Sequence, residues 1–335
     1  MVRRIAAVVA LVASCGLVAA CSDASGTATS TVSAAQACTD NARERCARLQ
    51  SCSPTDVELR YGSVSTCETR ETKNCTASLA EPLTGNTPTA VETCAGAYAG
   101  WACVDYLNGV NIPLSCRQQL GPITNGGFCA LDGECESGFC ATVPGAACGT
   151  CTAPPKVGAS CARLTSCGPG LTCTPDTAAC VPFGVRGSAC GKGAVCGVGL
   201  SCVGVDVTPN TQGLCQPAGQ KVGVPCDPAL RTAAGCDRNA GMVCNATSRT
   251  CQKVVVASTG QHCGDEVGDQ PVYCQAAGSC TGGSGTTPGS CAAAAADGAK
   301  CNLVTGPGCV IPARCIGNGG TSGTCQYSGE QSCRP

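Results

Sequence analysis

Cysteine has the most chemistry to offer in this chain, with 36 among 335 residues. Its spacing decides whether those thiols hold metal or each other. Thiolate clusters converge on one zinc ion at about 2.3 Å and are drawn from dense C-x-C and C-x-x-C pairs. The chain has no C-x-C, no C-C, and one C-x-x-C, at Cys148 and Cys151. A zinc ribbon needs a second such pair and a mixed site needs histidines, yet His262 is the only histidine. The spacing therefore implies disulfides made in an oxidising compartment, with no metal and no cofactor.

The same scarcity argues against hydrolytic chemistry. A Ser-His-Asp or Cys-His arrangement would have to use His262, which occupies a variable position in Gly260-Gln261-His262-Cys263 and reads as a solvated loop residue. No G-x-S-x-G elbow accompanies it, and Gly282-Gly283-Ser284-Gly285 has the wrong spacing. Asp265, Glu266 and Asp269 read as a solvated loop without the D-x-D-x-D-G spacing of a calcium site, and Asp132-Gly133-Glu134 as a turn. No catalytic residue is assigned, and the chain is expected to be non-enzymatic.

The elements that must position the cysteines begin after a basic start, Met1-Val2-Arg3-Arg4, and an apolar run from Ile5 to Ala20. That is the form of a secretory signal, shorter than the roughly 20 residues of a spanning helix. Val18-Ala19-Ala20-Cys21 resembles a bacterial lipobox. The resemblance implies a signal peptide over 1–20, a diacylglycerol thioether on Cys21 and attachment to a membrane through that lipid. The competing Val12-Ala13-Ser14-Cys15 leaves an apolar run of only Ile5 to Ser14. Residues 21–36, rich in Ser, Thr and Ala, read as a flexible tether. Setting aside Cys15 and Cys21 leaves 34 thiols, an even number compatible with 17 disulfides. The formal charge of −1 becomes −3 without Arg3 and Arg4, which gives no footprint for nucleic acid and no polybasic run.

Aromatic residues make up 3% of the chain and charged residues 13%, beside 45 glycines and 20 prolines. Most of it cannot build a conventional core, so the expected fold class is small, disulfide-rich and α+β. Residues 37–120 form a disulfide-stapled helical domain in this reading. Ala42, Cys46 and Leu49 make one face of a helix over 40–49 capped by Thr39 or Asp40; a second helix covers 65–79; a third starts at Pro88. Tyr61, Tyr98, Trp101 and Tyr106 give this stretch its small core. Antiparallel packing of the first two helices predicts nested bridges, Cys52 to Cys67 inside and Cys46 to Cys75 outside.

Residues 121–335 read as about six tandem cysteine-rich units of short β-hairpins and loops. Each opens with G-x-x-C, at Gly126, Gly158, Gly187, Gly223, Gly260 and Gly298, and the starts are 32, 29, 36, 37 and 38 residues apart. Four cysteines per unit allow three connectivities. We favour first to third and second to fourth: Cys161 with Cys173, Cys167 with Cys180, Cys190 with Cys202 and Cys196 with Cys215. Cys148 and Cys333 exceed the four-per-unit count and are left to pair with each other or across units.

Gly126-Gly127-Phe128-Cys129, Asp132-Gly133-Glu134-Cys135, Ser137-Gly138-Phe139-Cys140 and the closing Cys148 and Cys151 resemble the Dickkopf N-terminal cysteine-rich motif. The whole layout resembles the cysteine-rich lipoproteins of myxobacteria. The first resemblance implies a disulfide-rich extracellular module and transfers no functional residue. Together they imply a lipoprotein of the bacterial cell envelope, and Ser22 in place of Asp after Cys21 implies outer-membrane sorting by resemblance to enterobacterial lipoproteins. The expected role is a structural, adhesive or binding scaffold for an unidentified protein or polysaccharide, with a tandem inhibitor or signalling-antagonist array as the alternative. Replacing Cys21 with Ser is expected to move the protein from the membrane to the soluble fraction. Mass spectrometry of an unmodified mature N-terminus elsewhere in the chain would count against lipidation.

Overall fold

The computed structural model describes residues 32–205, 211–230, 232–267, 270–283, 287–317, 320–329 and 333. Cys15, Cys21 and the signal segment lie outside them. Five helices come first: α1 (Ala34–Cys52), α2 (Pro54–Tyr61), α3 (Val64–Ala80), α4 (Pro88–Ala95) and α5 (Cys103–Asn108). The first helix begins earlier than Asp40. Ser33 caps it by accepting from the Gln36 amide at 3.1 Å, and Ala37, Cys38, Ala42, Cys46 and Leu49 form one buried stripe. Helix therefore replaces the last three residues, 34–36, of the expected tether. Ser63 and Thr87 cap α3 and α4 in the same way, with Pro88 in the first turn of α4.

This early start corrects the predicted bridges. Cys46 joins Cys67 and Cys38 joins Cys75, while Cys52 joins Cys103 and Cys94 joins Cys116; neither Cys46–Cys75 nor Cys52–Cys67 forms. At about 100° per residue, the six residues from Cys46 to Cys52 turn the side chain by roughly 120° onto another face. The eight-residue steps Cys38 to Cys46 and Cys67 to Cys75 each advance about 12 Å and turn the side chain by only about 80°, within one broad apolar stripe. Equal steps on antiparallel helices make two rungs. The core beneath them contains Cys46, Leu49, Val57, Tyr61 and Cys67, and the Tyr61 hydroxyl donates to Glu71 at 2.6 Å. Tyr98, Trp101 and Tyr106 pack with ring centroids 5.3 to 6.2 Å apart.

The remainder is α+β in its second component: short strands in small sheets. In each of six units the first cysteine bridges the third and the second bridges the fourth, including Cys161–Cys173, Cys167–Cys180, Cys190–Cys202 and Cys196–Cys215. The third and fourth cysteines are direct antiparallel neighbours in every unit, as Cys140 with Cys151 and Cys202 with Cys215. The opening glycine sits in a turn with φ between 74° and 94°. Its N–H donates to the carbonyl of the fourth cysteine at 2.8 to 2.9 Å in all six units. A Cβ at any of these glycines would meet nothing within 4 Å. Backbone conformation, not close approach, is what requires glycine here.

A second clamp seats the chain ahead of five of the units. Ile123, Gly219 and Ala295 each donate to the carbonyl before their unit's second cysteine and accept from the amide after it. Gly184 and Ala257 pair in parallel with Cys196 and Cys274 at the equivalent position.

The units also dock on the helices. Gly85 donates to the Gly133 carbonyl at 2.7 Å, and Ala276 and Ala277 donate to the carbonyls of Glu58 and Leu59 at 3.0 and 2.6 Å. Ser53 Oγ donates to the Asn239 carbonyl at 2.9 Å, and Asn108 Oδ1 accepts from the Val198 amide at 3.0 Å. The array closes on itself: Gly317 donates to the Gly145 carbonyl at 2.9 Å, and Cys148 bridges Cys333 across 185 residues. Val32–Pro335 is accordingly one compact unit, not a row of beads joined by connectors alone.

Since only φ requires the opening glycine, Gly187→Ala should cost about 1–2 kcal/mol. Urea unfolding of the oxidised protein measures this; an unchanged midpoint would show that the turn does not hold the positive φ.

Candidate functional site: an inter-unit cleft

The third and fourth units, with α5 and the neighbouring units, enclose a cleft of about 1050 Å³. Its apolar lining includes Phe183, Leu200, Met242 and Tyr273. Leu200 and Met242 come from the repeated phrase that leads into the third cysteine, Gly199-Leu200-Ser201-Cys202 and Gly241-Met242-Val243-Cys244. The sequence shows that phrase as a recurrence ahead of the third cysteine, with no role attached to it. The aromatic side chains had no periodic signal to find them by.

Three of the polar side chains that line the cleft close its loops. Asp237, which is buried, accepts from the Asn239 amide at 3.0 Å and from Gln220 Nε2 at 3.2 Å. Asp227 accepts from the amides of Ala229 and Thr232 at 2.9 and 3.0 Å, and Asn245 Oδ1 from those of Thr247 and Ser248 at 2.9 and 2.7 Å. These are local turns closed by a side-chain oxygen. They fix the rim of the cleft and leave its apolar side chains and backbone edges to meet a ligand.

Other chemistry-bearing residues are dispersed or bonded. The Sγ atoms of Cys129, Cys135 and Cys151 lie within 4.8 Å of one another, as do comparable triads in later units, but each of these three is disulfide-bonded and offers no thiolate. His262 is exposed, opposite Ser290 in a strand pair. Asp265 and Glu266 lie on the strand His262–Val267 rather than in a loop, and Asp269 falls outside the described residues. Asp132 and Glu134 brace the first unit: Asp132 Oδ1 accepts from the Cys140 amide at 2.7 Å, and Glu134 Oε2 from those of Ala130 and Leu131 at 2.6 and 2.9 Å. Burial raises the Asp132 carboxyl above its ordinary range, against the opposing pull of the Cys140 amide and Arg314.

A group of three charges joins α3 to the sixth unit. Arg70 donates to Asp297 Oδ1 at 2.7 Å and to the carbonyls of Val310 and Ile311 at 2.6 and 2.7 Å, with its guanidinium 5.3 Å from the Tyr327 ring centre. Lys73 Nζ lies 3.2 Å from Asp297 Oδ2. Arg70 is buried and already bonded, so the group acts as a fastener. No family model, curated protein or solved structure matches the chain.

Partial burial opposes ionisation of Asp297, but hydrogen bonds and charge from Arg70 and Lys73 outweigh it and lower the carboxyl below its ordinary value. A depressed folded-state value means that the carboxylate contributes stability above the unfolded-state pKa, lost as pH falls through the depressed value. Asp297→Asn should therefore lower the urea midpoint at neutral pH, with the two proteins converging in strong acid. An equal difference at both pH values would assign the effect to packing instead of charge.

Proposed function

We propose that this chain is a binding scaffold of the bacterial cell envelope, without enzymatic activity. It is held to the outer membrane by lipid on Cys21, and the cleft between its third and fourth units receives an envelope protein or polysaccharide. The observation that carries the reading is the state of the cleft's polar groups. Asp227, Asp237 and Asn245 hold loop amides, so the cleft offers fixed shape and apolar contact. Such preorganisation suits recognition, since little ordering remains to be done when a partner binds. The lipobox-like Val18-Ala19-Ala20-Cys21 and the dependence on disulfides support an extracytoplasmic address.

Binding of the oxidised Cys21→Ser protein to separated envelope protein and polysaccharide fractions tests this. One fraction should bind saturably, and Tyr273→Ala should weaken that binding roughly tenfold, as loss of an aromatic contact residue commonly does. Absence of saturable binding to either fraction, or turnover of the bound material, would contradict the proposal.

A further inference from the structure

The fourth cysteine of each unit uses both of its backbone groups on the opening turn. In the third unit Gly187 donates to the Cys215 carbonyl at 2.8 Å, and the Cys215 amide donates to the Ser188 carbonyl at 2.9 Å. In the fourth unit Gly223 donates to the Cys251 carbonyl at 2.9 Å, and the Cys251 amide donates to the Val224 carbonyl at 2.8 Å. An antiparallel strand bonds to each neighbour through alternate residues, so a residue facing such a cysteine turns its own amide and carbonyl the other way. Cys202 faces Cys215, and Cys244 faces Cys251. The strands that carry them, Leu200–Val203 and Met242–Cys244, each lie at the edge of their sheet. Cys202 and Cys244 therefore present one N–H and one C=O each beyond the sheet, and none of these groups has a hydrogen-bond partner among the described residues. Both cysteines are half-buried, and both line the cleft.

The amides on either side of these positions are closed. The Leu200 amide donates to the Gly197 carbonyl at 3.1 Å and the Met242 amide to the Asp237 carbonyl at 2.9 Å. Further along the first edge, Gly204 donates to the carbonyl of Leu230 in the fourth unit at 2.8 Å, so the backbone of another unit already pairs there. The first unit shows what closes a third cysteine: Asp132 Oδ1 accepts from the Cys140 amide at 2.7 Å. Asp132 stands three residues after its unit's first cysteine, where the third and fourth units have Gly193 and Ala229. Neither has a side chain able to accept, and the two amides stay open.

We infer that the cleft takes an extended polypeptide segment, which adds a strand to the edge at Cys202 and continues the pairing that Gly204 and Leu230 begin. An extended backbone carries an acceptor and a donor together on one edge at every second residue, the complement of the outward amide and carbonyl of Cys202. Side chains on one face of that segment join Leu200 and the rest of the apolar lining. A polysaccharide has no backbone amides with which to continue the ladder. The inference rests on the cleft being the scaffold's binding site and narrows its occupant to polypeptide.

The test uses the oxidised Cys21→Ser protein. Amide exchange in the free protein, followed by NMR, should be roughly tenfold faster at Cys202 than at Cys140, whose amide Asp132 holds. A tryptic digest of envelope protein is then passed over the protein, and the retained peptides are sequenced and synthesised. Such a peptide should slow exchange at Cys202 roughly tenfold and leave Ser201, whose amide faces the partner strand, unchanged. Methylating the peptide's backbone nitrogens one at a time should cut affinity about tenfold at alternate residues of the paired stretch and little between them. Retention of no peptide, a free-protein Cys202 amide as protected as that of Cys140, or unchanged exchange at Cys202 with peptide bound would overturn the inference. Saturable polysaccharide binding that Tyr273→Ala weakens, with no peptide retained, would overturn it while upholding the cleft as the binding site. Absence of binding to either class would defeat both.

Discussion

The structure depends on the crossed pair of disulfides in each unit. The third and fourth cysteines are cross-strand neighbours, yet each is bonded elsewhere, to the first and second. One hairpin is thereby tied to both segments that precede it. Four short pieces of chain with little apolar surface become a fixed body because the alternatives open to the unfolded chain are removed. Each such bridge typically contributes about 2–4 kcal/mol, comparable to the whole stability of a domain this small. The opening turn uses that rigidity: its glycine amide reaches the fourth cysteine's carbonyl only because the disulfides hold that strand in place.

Disulfides within units do not arrange the units relative to one another. That task falls to the helices, which among the described residues are the part with an aromatic cluster and a paired-helix core. They meet the units mainly through backbone groups and a few polar side chains, of which Arg70 is the most committed. The contacts are small, but they share one rigid platform, and closure through Cys148–Cys333 means that displacing one unit strains the rest. A cleft spanning units is useful for recognition only if those units keep their spacing. Helical hub and closing bridge together provide that.

Cysteine spacing made the fold class, the unit count and the helical segment legible, since a staple has a period that side-chain variation does not hide. The bridges between α1 and α3 were misread for a local reason. Ala34 and Ala35 looked like tether, so Cys38 was not placed on the helix and the eight-residue rungs were missed. Arg70 had a readable signal, three residues after Cys67 and one before Glu71 on an inward-facing stripe, but its partner Asp297 is 227 residues away. The docking of Ala276 and Ala277 on α2 uses backbone amides and leaves no side-chain pattern. The cleft has the same opacity, because its walls come from equivalent positions in different repeats and its aromatic residues from dissimilar ones.

Hydrogen exchange on the oxidised Tyr61→Ala protein tests most directly whether the helices are the hub. Tyr61 is buried in the helical core, far along the chain from the units. The account predicts faster exchange at Ala276 and Ala277, which donate to α2, and also at Gly317, which closes the array on Gly145. The opening glycines of the units should remain protected, since their strands are held by disulfides. Unchanged protection at Gly317, Ala276 and Ala277 would contradict the account, because the array would then hold its arrangement without the helices.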